Sequence, residues 1–135
     1  MAGFVNMVSK GPVHWKAYRL ETTPLSSCQG EYIVATRAAI EAKALSEAIQ
    51  FLTYGPVQKK APIFCDNKSA VLLSESATSS KRLKHIATRI AFLREMVNAK
   101  EIALFWIPTD GQLADLFTKP LIADKFHPLR KFFVA

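Results

Sequence analysis

The stretch A-P-I-F-C-D-N-K-S-A, residues 61–70, decides the fold. Ala61 to Cys65 is a short apolar run opened by a proline, and a proline is compatible with the first positions of a strand but not with a helix interior. The run ends on Asp66, so an acid stands where the strand stops. A short helix is expected over Lys68 to Ser74, which makes the unit a strand feeding a helix.

Upstream, Phe4 to Val8 and Val13 to Tyr18 carry aromatic and β-branched residues around Lys10-Gly11-Pro12, and turn chemistry between two such runs predicts an antiparallel hairpin. Ser26, followed three residues later by Gln29, resembles a capping box and opens a long helix that Gly55-Pro56 ends. Gly30 weakens its first turn, while Ala35, Ala38, Ala39, Ala42, Ala44 and Ala48 restore helix propensity. Downstream, Ser79 or Ser80 caps a second long helix whose Leu83, Ile86, Ile90, Leu93 and Val97 recur at steps of three and four. Ile102 to Ile107 is another strand, stopped by Pro108. Gln112 to Phe117 and Lys125 to Phe133 close the chain as short helices.

Strands separated by helices imply an α/β fold with a mixed sheet and at least one crossover. At 135 residues, half of them apolar, the chain has the length of a single domain spanning 1–135. Its +7 charge, from 18 basic against 11 acidic residues, favours an anionic partner such as nucleic acid. Cys28 and Cys65 have no C-x-x-C spacing, which argues against a zinc site and a disulfide scaffold. No charged-then-apolar leader and no run of roughly 20 apolar residues is present, so an intracellular protein, cytoplasmic or nuclear and without a membrane partner, is expected.

Three acids carry the chemistry. Glu31 lies at a helix start, where backbone N–H groups favour anions, and Asp66 lies at a strand end, where a carboxylate is held rigidly toward a cleft. If Asp115, in the helix after Trp106-Ile107-Pro108, packs across from them, the three form an oxygen cluster suited to magnesium, with manganese as a substitute. Paired cations in such clusters serve phosphodiester hydrolysis, and they also keep close carboxylates ionised. Taken singly, each acid also has a structural role open to it: helix-dipole partner, helix cap or solvated helix residue.

The surrounding residues resemble the ribonuclease H domain of copia-type retrotransposon polyproteins over about Phe4 to Leu121. The resemblance is carried by S-S-C-Q-G-E-Y-I from Ser26, I-F-C-D-N-K-S-A from Ile63, K-R-L-K-H-I from Lys81 with Arg89, Phe92 and Arg94, and W-I-P-T-D-G-Q-L-A-D-L-F-T-K-P-L from Trp106. It implies a ribonuclease H-like mixed sheet flanked by helices, and cleavage of the RNA strand of RNA–DNA hybrids with two magnesium ions. It also implies that Glu31, Asp66 and Asp115 are metal ligands.

In that family the first, central strand supplies a further aspartate, whereas Phe4 to Val8 aligns with the strand that follows it. The four aspartates here are Asp66, Asp110, Asp115 and Asp124. The chain is therefore expected to lack that central strand, to bind metal weakly and to cleave little by itself. Three arrangements are open: the hairpin slides onto the Ile63 strand, another polypeptide, such as an upstream reverse transcriptase segment, supplies the strand, or the domain is poorly ordered. Glu21 is the nearest upstream acid that could substitute as a ligand.

Asp110 stands where related enzymes carry a loop histidine, or merely begins a turn with Gly111. Lys81, Arg82, Lys84, His85 and Arg89 form a basic stripe opposite the apolar face of the second helix, fit to track a nucleic-acid backbone or to be an ordinary solvated face. Asn67 is placed to donate to a substrate sugar or to its own turn. Trp15, Trp106 and most phenylalanines recur at core spacing and are expected to pack. His14, His85 and His127 form no ligand set. The alternative to a nuclease is a non-catalytic retroelement remnant that binds nucleic acid through the basic helix.

Overall fold

A computed structural model describes residues 1–21, 23–24, 26–55, 60–68, 71 and 86–134. β1 (Ala2–Val8) and β2 (Gly11–Tyr18) pair antiparallel, from Ala2 opposite Tyr18 to Val8 opposite Gly11. The turn lies at Ser9-Lys10, just ahead of the Gly11-Pro12 pair that marks it in the sequence. Both residues adopt left-handed backbone, with φ of 50° and 76°, as a two-residue type I′ hairpin turn requires. Pro12 falls inside β2, opposite Met7, next to a register irregularity between Asn6 and Met7.

α1 (Ser27–Thr53) begins as the capping residues predict: the Ser26 hydroxyl accepts from the Gln29 amide at 3.2 Å. It ends at Tyr54, whose left-handed φ of 50° terminates the helix one residue before Gly55. Tyr32, Ala35 and Ala39 fall on one face and are buried, and their mostly small side chains let strands approach the helix closely.

β3 (Ala61–Cys65) pairs in parallel with β4 (Ile102–Trp106), Ala61 opposite Ile102 and Cys65 opposite Trp106. Parallel pairing requires a crossover, and α2 (Ala87–Asn98) lies within it, burying Ile90, Leu93 and Met96. These side chains, with Ile86, meet Tyr32, Ala35 and Ala39 of α1 and Cys65, Ile102 and Leu104 of the strands in one core. Beyond β4 come a single turn at Thr109–Gly111, α3 (Asp115–Thr118) and α4 (Ala123–Arg130). Gly3 lets α3 approach the hairpin, since a Cβ there would lie 2.8 Å from both the Lys16 carbonyl and Thr118 Cγ2.

Two expectations need correction. The single mixed sheet is instead two separate two-stranded sheets, β1–β2 and β3–β4, among the described residues. The hairpin has not moved over to pair with β3. The aromatic residues, expected to pack, are largely at the surface: Trp15, Trp106, Phe51, Phe64, Phe105 and Phe132 are all exposed, and Phe4 is the one phenylalanine in the buried core. The reason is that β3–β4 is covered by helices on one face, so Phe64 and Phe105, paired in register with ring centroids 5.7 Å apart, are left on the other. Trp15 stacks on Phe117 at 6.2 Å, which ties the hairpin to α3. Of the expected helix over 68–74, Lys68 and Val71 are described and both are helical, the Val71 amide donating to the Asn67 carbonyl at 3.4 Å; its other residues, the Ser79 or Ser80 cap, and Lys81, Arg82, Lys84 and His85 lie outside the described residues.

Candidate metal centre

The space between the two sheets is a cleft of about 930 Å³. The start of α1, the end of β3 and the start of α3 bring Glu31, Cys65, Asp66, Asp115 and Lys119 to its lining. Local structure explains each placement. Glu31 is the fifth residue of α1, one turn beyond the Ser26 cap that starts the helix, so no acid lies in the first turn itself. Asp66 follows the last paired residue of β3, and its carbonyl accepts from the Trp106 indole N–H at 3.2 Å, which fixes the strand end. Asp115 is the first residue of α3 and is buried at 7% exposure.

Glu31, Cys65 and Asp66 each offer a ligand atom, and these atoms lie within 4.8 Å of one another. The Cys65 thiol points at Glu31 Oε2 at 3.8 Å. Burial pushes that thiol up to about 12, the Glu31 and Asp66 charges add to the shift, and the Asn67 amide opposes it. At neutral pH Cys65 is therefore a thiol, not a soft thiolate ligand. The donor set is oxygen, the kind hard divalent cations take.

The Glu31 carboxyl is held above its ordinary value, first by burial and then by the Asp66 charge, with Asp115 adding to both; the Cys65 thiol and Lys119 pull it back. Burial lowers the Lys119 ammonium, but its hydrogen bond to Asp115 and the charges of Asp115, Asp66 and Glu31 outweigh this and hold it above its usual value. Its Nζ lies 2.9 Å from Asp115 Oδ1 and 3.0 Å from Oδ2. Three carboxylates against one ammonium leave a net negative end to the cleft. Added positive charge there would be favoured, and in this respect the residues fit a divalent cation.

The expected trio is thus brought to one cleft, with Glu31 and Asp66 in the tight grouping and Asp115 bound to Lys119. Asn67 adjoins them, its amide donating to Cys65 Sγ at 3.5 Å. Asp110 does not line the cleft; it sits in the Thr109–Gly111 turn, paired with Lys125 at 2.6 Å. Glu21 is exposed and likewise away from the lining. Arg89, of the basic stripe, is exposed in the first turn of α2. Cys65 and Lys119 were not singled out by their residue type. The four-residue spacing from Asp115 to Lys119 within a short helix is the signal that points to the second.

These features can be set against known proteins. Its homologues are retrovirus-related Pol polyproteins of copia-type transposons. The chain is 33% identical over 125 residues to the retrovirus-related Pol polyprotein from transposon TNT 1-94 of Nicotiana tabacum, a match covering 93% of the chain and 9% of that protein. It is 30% identical to the corresponding polyproteins from transposons RE2 and RE1 of Arabidopsis thaliana, over 88% and 93% of the chain and 8% of each relative. The chain therefore spans less than a tenth of the length of these relatives. No family model and no solved structure matches it. Among the described residues no helix is long and apolar enough to cross a membrane.

Proposed function

We propose that this region is the ribonuclease H portion of a copia-type retrotransposon Pol polyprotein, with an RNA–DNA hybrid as substrate and a metal-assisted hydrolysis of the RNA strand as reaction. The observation that supports it is the convergence of Glu31, Asp66 and Asp115 on one end of a cleft, from three elements distant in sequence. Magnesium, or manganese in its place, would be held by these three carboxylates and would activate water and stabilise the leaving oxygen when bound. The chain's own contribution is positioning: Trp106 holds the Asp66 turn, Ser26 sets the helix that carries Glu31, and Lys119 neutralises Asp115. With three carboxylates and no fourth at the cleft among the described residues, cleavage by the chain alone is weak.

The paired Lys119 and Asp115 also favour a second reading, in which the site is satisfied without metal and the chain is a non-catalytic remnant. In that case the basic stripe of Lys81, Arg82, Lys84, His85 and Arg89 binds a nucleic-acid backbone, with affinity that falls steeply with salt. Cleavage of a labelled hybrid in magnesium and in manganese, compared between the natural chain and Asp66→Asn, separates the two. Slow, metal-dependent cleavage abolished by Asp66→Asn supports the nuclease. Salt-sensitive hybrid binding without metal uptake or cleavage supports the remnant.

A further inference from the structure

The grouping of ligand atoms at the acid end of the cleft is smaller than the trio of acids. Glu31, Cys65 and Asp66 offer theirs within 4.8 Å of one another, and Asp115 stands outside that set. Both Asp115 oxygens are instead taken by the Lys119 ammonium, at 2.9 and 3.0 Å. This contact is built into the fold. The Lys119 amide donates to the Asp115 carbonyl at 3.1 Å, closing the last turn of α3, and that turn carries the ammonium back over the carboxylate. The Asp115 side chain is only 10% exposed, and a buried carboxylate left without a cationic partner is strongly destabilising.

Charge decides what else this end can take. Three carboxylates and one ammonium leave two negative charges, and one divalent cation offsets them in full. A second divalent cation would have to displace Lys119 and sit about 3.5–4 Å from the first, as in paired-metal centres. No further carboxylate lines the cleft among the described residues to offset the repulsion between two such ions. An ammonium on Asp115 carries half the charge and is already in place. Lys60, the other lysine of the lining, precedes Ala61 and so stands at the opposite end of β3 from Asp66.

Lys119 also has a donor left over. An ammonium carries three N–H bonds, two of them go to Asp115, and the side chain lines the cleft with 53% of its surface exposed. The third can meet an oxygen of a ligand lying beside the acids. We propose that the centre is built for one divalent cation, held by Glu31 and Asp66, with the Lys119 ammonium on Asp115 as its second positive charge and as the donor to a non-bridging oxygen of a nucleic-acid phosphate. The inference deepens the nuclease reading and rests on its cation site. It keeps the acids and the phosphodiester substrate, but it sets the count at one ion where the resemblance implies two, and gives Asp115 a lysine for a partner.

Manganese uptake by the full 135-residue chain, followed by the spin-resonance signal of the free ion, tests the count. One ion per chain is expected for the natural sequence, and two for Lys119→Met, which leaves Asp115 to a cation. The double variant Asp115→Asn with Lys119→Met removes one charge of each sign and should keep the single ion within about threefold of its natural affinity. The phosphate contact is read from binding of a fluorescent RNA–DNA hybrid in calcium, at a concentration that fills one site. Lys119→Met lowers hybrid affinity by about threefold or more and Lys119→Arg keeps it. Raising calcium restores binding to Lys119→Met, as a second ion takes the place of the ammonium; a lysine that only stabilised its helix would show no such rescue. Lys119 is half exposed, so replacing it alone leaves the core untouched, and the hybrid measurement does not depend on the double variant. Two ions in the natural chain, one ion in Lys119→Met, a larger loss in the double variant, or hybrid affinity indifferent to Lys119 overturns the proposal and leaves the nuclease reading standing. No manganese uptake by the natural chain overturns both.

Discussion

Lys119 grips Asp115 with both carboxylate oxygens within 3.0 Å of its Nζ, across one turn of α3. This pair places a positive charge at the end of a cleft that also holds Glu31 and Asp66. The ammonium and a divalent cation would compete for the same oxygens. Replacing Lys119 by Met is expected to tighten manganese binding by about three- to tenfold, the scale of a partly screened charge a few ångströms away. A titration followed by manganese electron spin resonance reads this directly, and unchanged or weaker binding would count against a cation site at Asp115.

Glu31 gives the pH dependence. Its folded carboxyl titrates above its ordinary value of 4.5, chiefly from burial and from Asp66. The folded chain then holds a proton that the unfolded chain has already released. Its contribution to stability is complete below 4.5 and is lost as pH rises through the folded value. In chelator, the melting temperature of the natural chain should fall across this window, and Glu31→Gln should flatten the fall. Thermal melts of both proteins from acid to neutral pH check it; parallel curves would refute the assignment.

The core centred on Leu93 is where truncation should be felt most. Leu93 is 1% exposed and packs between α1 and the β3–β4 pair. Leu93→Ala is expected to cost about 2–5 kcal/mol, the range for a buried leucine replaced by alanine. Phe105, 48% exposed on the uncovered face of the same strands, is a natural control. Phe105→Thr should change stability by less than about 1 kcal/mol, as surface substitutions usually do. Urea denaturation midpoints compare the two.

Tyr18 makes the opposite case. Its hydroxyl is buried without a hydrogen-bond partner among the described residues, while the Arg37 guanidinium sits 5.3 Å over its ring. Burial holds the phenol above its ordinary value, against the pull of Arg37 and Arg89. Tyr18→Phe removes the unpaired group and keeps the ring under Arg37, so the denaturation midpoint should stay or rise. A clear loss of stability would show that the hydroxyl has a partner.

Much of this was legible from local pattern. Ser26 and Gln29 mark the start of α1, the apolar run from Ala61 marks β3, and Ile90 and Leu93 mark the buried side of α2, because capping and periodicity are properties of neighbouring residues. The hairpin was legible as well, but its turn residues were not. Ser9 and Lys10 carry no glycine to announce their left-handed backbone, and the strand register imposes it on them.

Sequence by itself determined which residues become helices and strands and which three acids have motif context, since these depend on chemistry within a few residues. Only the tertiary structure decided that β1 and β3 remain apart with their free edges facing one cleft, and that Lys119 and Cys65 join Glu31, Asp66 and Asp115 there. Strand pairing and charge clustering are contacts between segments far apart in the chain, and no local preference states which edge will find a partner.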